Sequence, residues 1–363
     1  MAHRILVINP GSTSTKIAIF EGSNQIYKET LRHSTEVISS YPNVSSQKDF
    51  RYEAIVKALE TAGVGVETLD AVMGRGGLVK PNRAGSYMVN DKMISDLANA
   101  VYGEHASNLG AILADTIARQ ANLKNGNDAC KAYIADPVTV DELSDLARMT
   151  GHPKFPKQSI FHALNSRAVV RRYAKECGKK ADELNVIVAH LGGGVSISLH
   201  EKGMTTDVND ALNGEGPFSP ERTGGVTALT MAKMCFSGEY TYDQIKRMIV
   251  GEGGAVAHLG TNDFFKVEDD YKAGDPATIR FVDSLAYHVA KSIGGLAAAV
   301  SGKVDAIILT GGIAYYRHLC DMIAERVSFL APVVHYPGED EMQALAECAE
   351  MVLDGETKAR IYE

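Results

Sequence analysis

No C-x-x-C pair, no basic block and no long apolar run occurs in these 363 residues. The five cysteines, Cys130, Cys177, Cys235, Cys320 and Cys348, are scattered and odd in number. That spacing argues against a zinc ribbon or a disulfide framework and reads as reduced thiols, as expected of a cytoplasmic protein. A net charge of -8 without a Lys/Arg cluster argues against a nucleic-acid partner. The N-terminal apolar run, Ile5 to Ile8, is too short for a signal peptide. Nothing approaches the roughly 20 apolar residues of a membrane span, so no membrane partner is expected. A Walker A loop is also missing, because the residue directly before Lys16 is Thr15 and not glycine.

What the first stretch does hold is a strand-like run, a small polar turn and a second apolar run. The turn is Gly11-Ser12-Thr13-Ser14-Thr15-Lys16, and Ile17 to Phe20 follows it. Small residues let backbone approach an anion, hydroxyls donate and a lysine adds charge, so the turn suits phosphate. The pattern recurs half a chain later. Asn185 to Leu191 is strand-like, Gly192-Gly193-Gly194 makes the turn, and Val195 to Leu199 alternates as a strand. Repetition over so long a period points to a duplicated architecture. Two phosphate-cradling hairpins across a cleft are the arrangement of the actin-like, ribonuclease H-like fold, an analogy at the level of fold.

Between the hairpins, strand-like and helical stretches alternate, which predicts an α/β protein with substantially parallel sheets. Helices are expected after Asp49, over Met93–Val101, over Leu109–Ile117, from Phe161-His162 to Cys177, after Asp275-Pro276, and from Glu341 to Leu353. Glycine-rich loops are expected at 213–217, 220–225 and 251–254. The loop Gly151 to Lys157 is rich in breakers and marks the expected change of domain. The expected domains are residues 1–155 with 343–363, and residues 156–342, with a cleft between them.

The ordered set of short motifs resembles the acetokinase family over essentially the whole chain. The set is Asn9-Pro10-Gly11-Ser12-Thr13-Ser14-Thr15-Lys16, Gly74-Arg75-Gly76-Gly77, His105, Asp136, Phe161-His162, His190-Leu191-Gly192-Gly193-Gly194, Glu221-Arg222-Thr223-Gly224-Gly225, Thr310-Gly311-Gly312-Ile313 and Gly338-Glu339-Asp340-Glu341. The resemblance is to the members acting on butanoate. It implies reversible transfer of the γ-phosphoryl group of ATP to the carboxylate of butanoate, giving butanoyl phosphate and ADP. A branched-chain acid, acetate or propionate is the alternative acceptor. The alternative of another class is an actin-like ATPase serving as chaperone or filament; those open the first hairpin with aspartate and glycines, where this chain has Asn9-Pro10.

The resemblance also implies roles. Arg75 holds the carboxylate and transferring phosphoryl, Arg222 stabilises the transition state, Asp136 orients substrate and metal, and His162 donates to the phosphoryl group. Asn9, Ser12, Ser14, Lys16, His190, Gly192, Gly193 and Gly194 fall to the nucleotide phosphates. Gly311 and Gly312 fall to its adenine and ribose, and Thr261, Asn262 and Asp263 match another nucleotide loop. His105 and Phe161 line the acid site. Asn9 and Glu341, with Asp340 as neighbour, fall to Mg2+. A homodimer or higher homo-oligomer is implied. Asp136 departs from the acetate kinases, being followed by Pro137-Val138. So does Gly76-Gly77, where acetate kinases carry two valines. Space at Gly77 would admit the two further methylenes of butanoate, worth ~0.8 kcal/mol each when buried.

Overall fold

The computed structural model describes residues 2–363. It divides into two compact units, one running to Val140 and including Asp340–Glu363, the other Asp141–Glu339. The change of unit therefore precedes the breaker-rich loop. Residues just after Val140 are held by the second unit: Ser144 N–H donates to Thr206 O at 2.9 Å, and Thr205 N–H to Glu142 Oε2 at 3.1 Å.

The first unit is built on β1 (Arg4–Pro10), β2 (Ser14–Glu21), β3 (Asn24–Arg32), β4 (Ala71–Arg75), β5 (Ser86–Met88), β6 (Lys131–Ala135) and, at the chain's end, β12 (Arg360–Ile361). Their order is β12-β5-β6-β4-β1-β2-β3. The second unit uses β7 (Asn185–Leu191), β8 (Val195–Glu201), β9 (Met204–Val208), β10 (Ala306–Gly311) and β11 (Val333–Pro337), in the order β11-β10-β7-β8-β9.

The duplication expected from the two hairpins is present in the topology. β1-β2-β3 and β7-β8-β9 are both antiparallel meanders. β1 then pairs in parallel with β4, and β7 with β10. Even the register breaks correspond, at Ile19/Phe20 and at Leu199/His200. A bulge of this kind sharpens the local twist.

β1 and β7 are central and buried on both faces, which is why they read as unbroken apolar runs. On the first sheet the helix Asn108–Asn125 presents Leu109, Leu113 and Ile117 to Leu6, Ile8, Ile17 and Ile19. On the second, the helix Pro276–Ala299 sets Leu285, Val289 and Ile293 against Ile187, Leu191 and Ile197. Asp275 caps that helix, its carboxylate accepting from Thr278 N–H at 2.8 Å, with Pro276 at the first helical position. The helix Ala163–Glu176 covers the other face with Val169 and Val170 on Val186 and Ile308.

Two expectations change. The glycine-rich loop expected at 251–254 runs directly into a helix, Gly254–Leu259, and further helices stand at Ala228–Cys235, Tyr242–Ile249 and Phe264–Lys272. The helix expected after Asp49 starts at Lys48, and Asp49 lies in its first turn rather than capping it. No described helix is long and apolar enough to cross a membrane.

Candidate active site

Each unit carries a cluster of the expected residues at the end of its sheet. In the first unit, Asn9 stands near the end of β1, Arg75 ends β4, and Glu341 opens the helix Glu341–Leu353. Arg75 Nη2 lies 2.9 Å from Glu341 Oε1, Asn9 Nδ2 donates to Glu341 Oε2 at 2.7 Å, and Arg75 Nη1 reaches Asn9 Oδ1 at 3.4 Å. The three side chains close a triangle. Asn9 is buried, and Arg75 and Glu341 are partly buried, so the charges are poorly screened by water. Asp340 is the N-cap of the same helix, its carboxylate accepting from Gln343 N–H at 3.3 Å. Glu341, not Asp340, faces Asn9 and Arg75.

The first hairpin loop owes its shape to a residue that the motifs do not include. Arg51 is fully buried, and it donates to the carbonyls of Gly11, Ser12 and Ser14 at 2.9, 3.1 and 3.0 Å. It also donates to Thr15 Oγ1 at 3.0 Å and Gln47 Oε1 at 2.8 Å. In a trans peptide the N–H points opposite the C=O. The amides of Ser12 and Thr13 therefore face away from Arg51. Ser12 and Lys16 are exposed, Ser14 is half-buried, and Lys16 sits opposite Asn9 in the β1–β2 register. Arg51 was readable as a charge on the buried stripe Arg51-Ile55-Leu59.

Asp136 follows β6 and is buried. Its backbone is left-handed, at φ 39°, a conformation that costs a non-glycine residue of order 1–3 kcal/mol. Gly85 holds it there: Gly85 N–H donates to Asp136 Oδ1 at 2.7 Å, and Asp136 N–H to Gly85 O at 3.1 Å. His105 Nδ1 accepts from Ser107 N–H at 3.1 Å, which fixes that nitrogen as the unprotonated one. Desolvation of the ring and the Arg75 charge both hold its pKa below the ordinary histidine value.

The glycines beside Arg75 answer the question raised about Gly77. A Cβ there would lie 2.6 Å from Asn108 Cα, and one on Gly76 2.7 Å from Pro137 Cβ. Gly74 and Gly110 are packed in the same way, a Cβ on Gly74 falling 2.2 Å from Gly110 O and one on Gly110 2.1 Å from Arg75 O. The glycines bring the β4 end against the start of the helix Asn108–Asn125. Gly77 is a close-packing position and not the open floor of an acyl pocket.

In the second unit, His190 stands next to the end of β7, fully buried. Its Nδ1 meets Asn165 Oδ1 at 3.0 Å, and Thr310 Oγ1 donates to the same oxygen at 3.3 Å. Its Nε2 lies 2.9 Å from Glu339 Oε1 without the alignment of a hydrogen bond. His162 stacks on His190 with ring centroids 3.7 Å apart and planes 6° from parallel, and its Nδ1 meets Ser196 Oγ at 3.0 Å. Phe161 is buried beside it in sequence.

Gly193 is the open residue of the second hairpin: a Cβ there would meet only Glu221 Oε2, at 3.8 Å. On Gly194 it would fall 1.9 Å from Arg222 Nη1. Arg222 donates to Ala211 O from that nitrogen at 2.5 Å, and its buried Nε has no hydrogen-bond partner. Burial pulls its pKa down, and Glu221 and Asp210 pull it back up.

Asn262 Nδ2 donates to Glu221 Oε1 at 2.6 Å. Thr261 and Asp263 are engaged locally, Thr261 Oγ1 with Asp263 N–H at 3.1 Å and Asp263 as cap of the helix Phe264–Lys272. Gly311 is packed, its Cβ position 2.3 Å from Leu191 O, whereas Gly312 has open space beside it. Arg51, Asn165, Glu221 and Glu339 were not among the expected site residues. Asn165 had a signal, an amide one turn before Val169 on a buried helix face.

A model of the acetokinase family matches residues 157–330. Butyrate kinase 2 of Clostridium acetobutylicum is 50% identical over 362 residues, covering 100% of both chains. Butyrate kinase 1 of the same organism is 50% identical over 360 residues, covering 99% of each. Among solved structures, the acetate kinase of Porphyromonas gingivalis aligns with a TM-score of 0.77 at 19% identity, over 97% of this chain and 100% of that one. A propionate kinase from Francisella tularensis aligns at 0.72 and 18% identity, over 95% and 98%.

Proposed function

The chain belongs to the acetokinase family, and from that premise we propose that it transfers the γ-phosphoryl group of ATP reversibly to the carboxylate of butanoate. The observation that carries this reading is the full-length identity of 50% to two butyrate kinases. The triangle of Asn9, Arg75 and Glu341 gives it a chemical basis.

A fatty acid carboxylate, with a pKa near the ~4 of a side-chain carboxyl, is ionised at neutral pH. It attacks without a general base. The obstacle is repulsion between the carboxylate and the phosphoryl oxygens, so catalysis is positioning and neutralisation. Arg75 supplies a forked cation for the carboxylate, and exchanges its contact with Glu341 for one with the acid. Arg222, with an unpaired donor in a buried setting, stabilises charge on the transferring group. His162, held by Ser196 and the His190 ring, donates to the same group. The open backbone at Gly193 and Gly312 gives phosphate and adenosine close approach.

Glu341 and Asn9 would hold a magnesium ion through one carboxylate and one amide oxygen, although Asn9 here turns Nδ2 to Glu341 and Oδ1 to Arg75; magnesium takes few protein oxygens and keeps waters. Such an ion would supply positive charge against the phosphate oxygens. To ligate such an ion Glu341 would have to leave its contacts with Asn9 Nδ2 and Arg75.

Hydroxamate trapping of the acyl phosphate, run with unbranched acids of two to five carbons and with branched acids, tests the assignment. Butanoate should have the highest kcat/KM. No hydroxamate with any acid would sink the reading, and a higher kcat/KM for acetate or a branched acid would reassign the acceptor.

A further inference from the structure

The helix Ala163–Glu176 covers one face of the second sheet. Alternate residues of a strand share a face. Along β7 the covered face carries Val186, Val188 and then His190; along β10 it carries Ala306, Ile308 and then Thr310. The register sets Thr310 beside His190, and His190 beside Ser196 of β8. The face is therefore apolar up to its last rung, where three polar side chains stand in a row across three strands, each fully buried. Apolar packing does not account for such a row, and buried polar groups need partners.

The partners come from the start of the same helix. His162, its N-cap, meets Ser196 Oγ through Nδ1 at 3.0 Å. Asn165, in the first turn and buried, serves the other two: its Oδ1 lies 3.0 Å from His190 Nδ1 and accepts from Thr310 Oγ1 at 3.3 Å.

We propose that Asn165 is the positioning residue of the histidine pair. It holds the His190 ring by Nδ1, which turns Nε2 to the phosphate turn and fixes the plane on which His162 stacks. An amide oxygen accepts only, so the proton between Asn165 Oδ1 and His190 belongs to Nδ1. Nε2 is then the working nitrogen. It is buried without a hydrogen-bond partner, 3.1 Å from where a Cβ on Gly192 would stand, at the first glycine of the turn. Glu339 Oε1, 2.9 Å from Nε2, marks the room for an anionic oxygen at that spot.

The second effect passes through the stack. The two rings lie 3.7 Å apart and 6° from parallel. The terminal torsion of a histidine is soft, so a ring anchored at Cβ alone turns, whereas one also held at Nδ1 keeps a single plane. Without Asn165, His162 retains Ser196 but loses the fixed surface beneath it. Misplacing a catalytic group by about 1 Å costs up to ~100-fold in rate. This consequence for the rate rests on the roles proposed for His162 and the second hairpin; the holding of the ring does not.

Heteronuclear NMR of the histidine rings, with kcat and KM measured on the same protein, tests both parts. His190 is assigned among the 11 histidines by the signals lost in His190→Gln. In the wild type without nucleotide, its Nδ1 should carry the proton. In Asn165→Ala that preference should vanish and kcat should fall ~10–100-fold, while KM for butanoate, which the reading gives to Arg75, changes little. Asn165→Asp keeps an acceptor at the same point, and should restore both the Nδ1 proton and most of kcat. A role in helix packing alone would not tie the rate to the ring proton in this way. A bare Nδ1 in wild-type His190 overturns the proposal, and that spectrum decides the matter if Asn165→Ala does not fold. Undiminished kcat in Asn165→Ala, or equal losses in the Ala and Asp variants, overturns the link to the rate. Absence of kinase activity in the wild type would instead refute the proposed reaction, while the spectra would still judge Asn165.

Discussion

Gly194 and Arg222 share one space: the position of a side chain on residue 194 lies 1.9 Å from Arg222 Nη1 and 2.7 Å from its Cζ. A side chain on the third glycine of the second hairpin would therefore push the arginine aside. We expect Gly194→Ala to displace the guanidinium and lower kcat by about as much as Arg222→Ala, ~100-fold or more, the size of one lost transition-state contact. Nucleotide affinity should change little in both. Titration calorimetry and steady-state rates on the folded variants check this; a Gly194→Ala enzyme with normal kcat would separate the two residues.

Gly193 differs, because the space beside it is open. Gly193→Val should fold with normal thermal stability and lose most of its affinity for ADP, since the side chain fills the path a phosphate would take. Unchanged affinity by calorimetry would remove the hairpin from the nucleotide site.

Glu341 holds Asn9 and Arg75 together. Arg75→Ala should raise KM for the acid and lower kcat. Glu341→Gln keeps the shape but removes the charge, so it should raise the magnesium concentration needed for half-maximal rate. Titrating rate against free magnesium distinguishes the two variants, and an unaltered magnesium response in Glu341→Gln would exclude that residue as a ligand.

Gly77→Val should act on packing and not on acyl selectivity, because the side chain would meet the Asn108 backbone. Overpacking of this kind costs ~1–3 kcal/mol. The melting temperature should fall, and kcat/KM for acetate, propanoate and butanoate should fall by the same factor. A loss confined to butanoate would restore Gly77 as the floor of the acyl pocket.

His200 is fully buried between Ser198 and Thr205, and burial, with Arg167 and Arg171 nearby, lowers its pKa to about 3. Between pH 6.5 and that value the unfolded chain binds a proton that the folded chain does not. Stability is therefore complete above pH 6.5 and declines as pH falls, by ~1.4 kcal/mol per unit from this group. Denaturant unfolding at pH 7.5 and 5.5 should show the decline, and His200→Gln should flatten it. An identical slope in the variant would assign the effect to other groups.

The local chemistry of the elements was legible in the residues themselves. Buried central strands read as apolar runs, Asp275-Pro276 marked a helix start, and the two glycine or hydroxyl turns marked the two hairpins, because these depend on neighbours in the chain. The α/β class and the duplication followed from their order. What only the tertiary structure decided was the purpose of residues whose partners are remote in sequence. Arg51 shapes a loop about 40 residues away by binding its carbonyls. Glu341 meets Asn9 across 332 positions. Gly77 and Gly194 are glycines because Asn108 and Arg222 occupy the space a side chain would need. A motif records that a residue is small or charged. Which atom fills the vacated space, or neutralises the charge, is set by packing, and packing is a property of the folded chain.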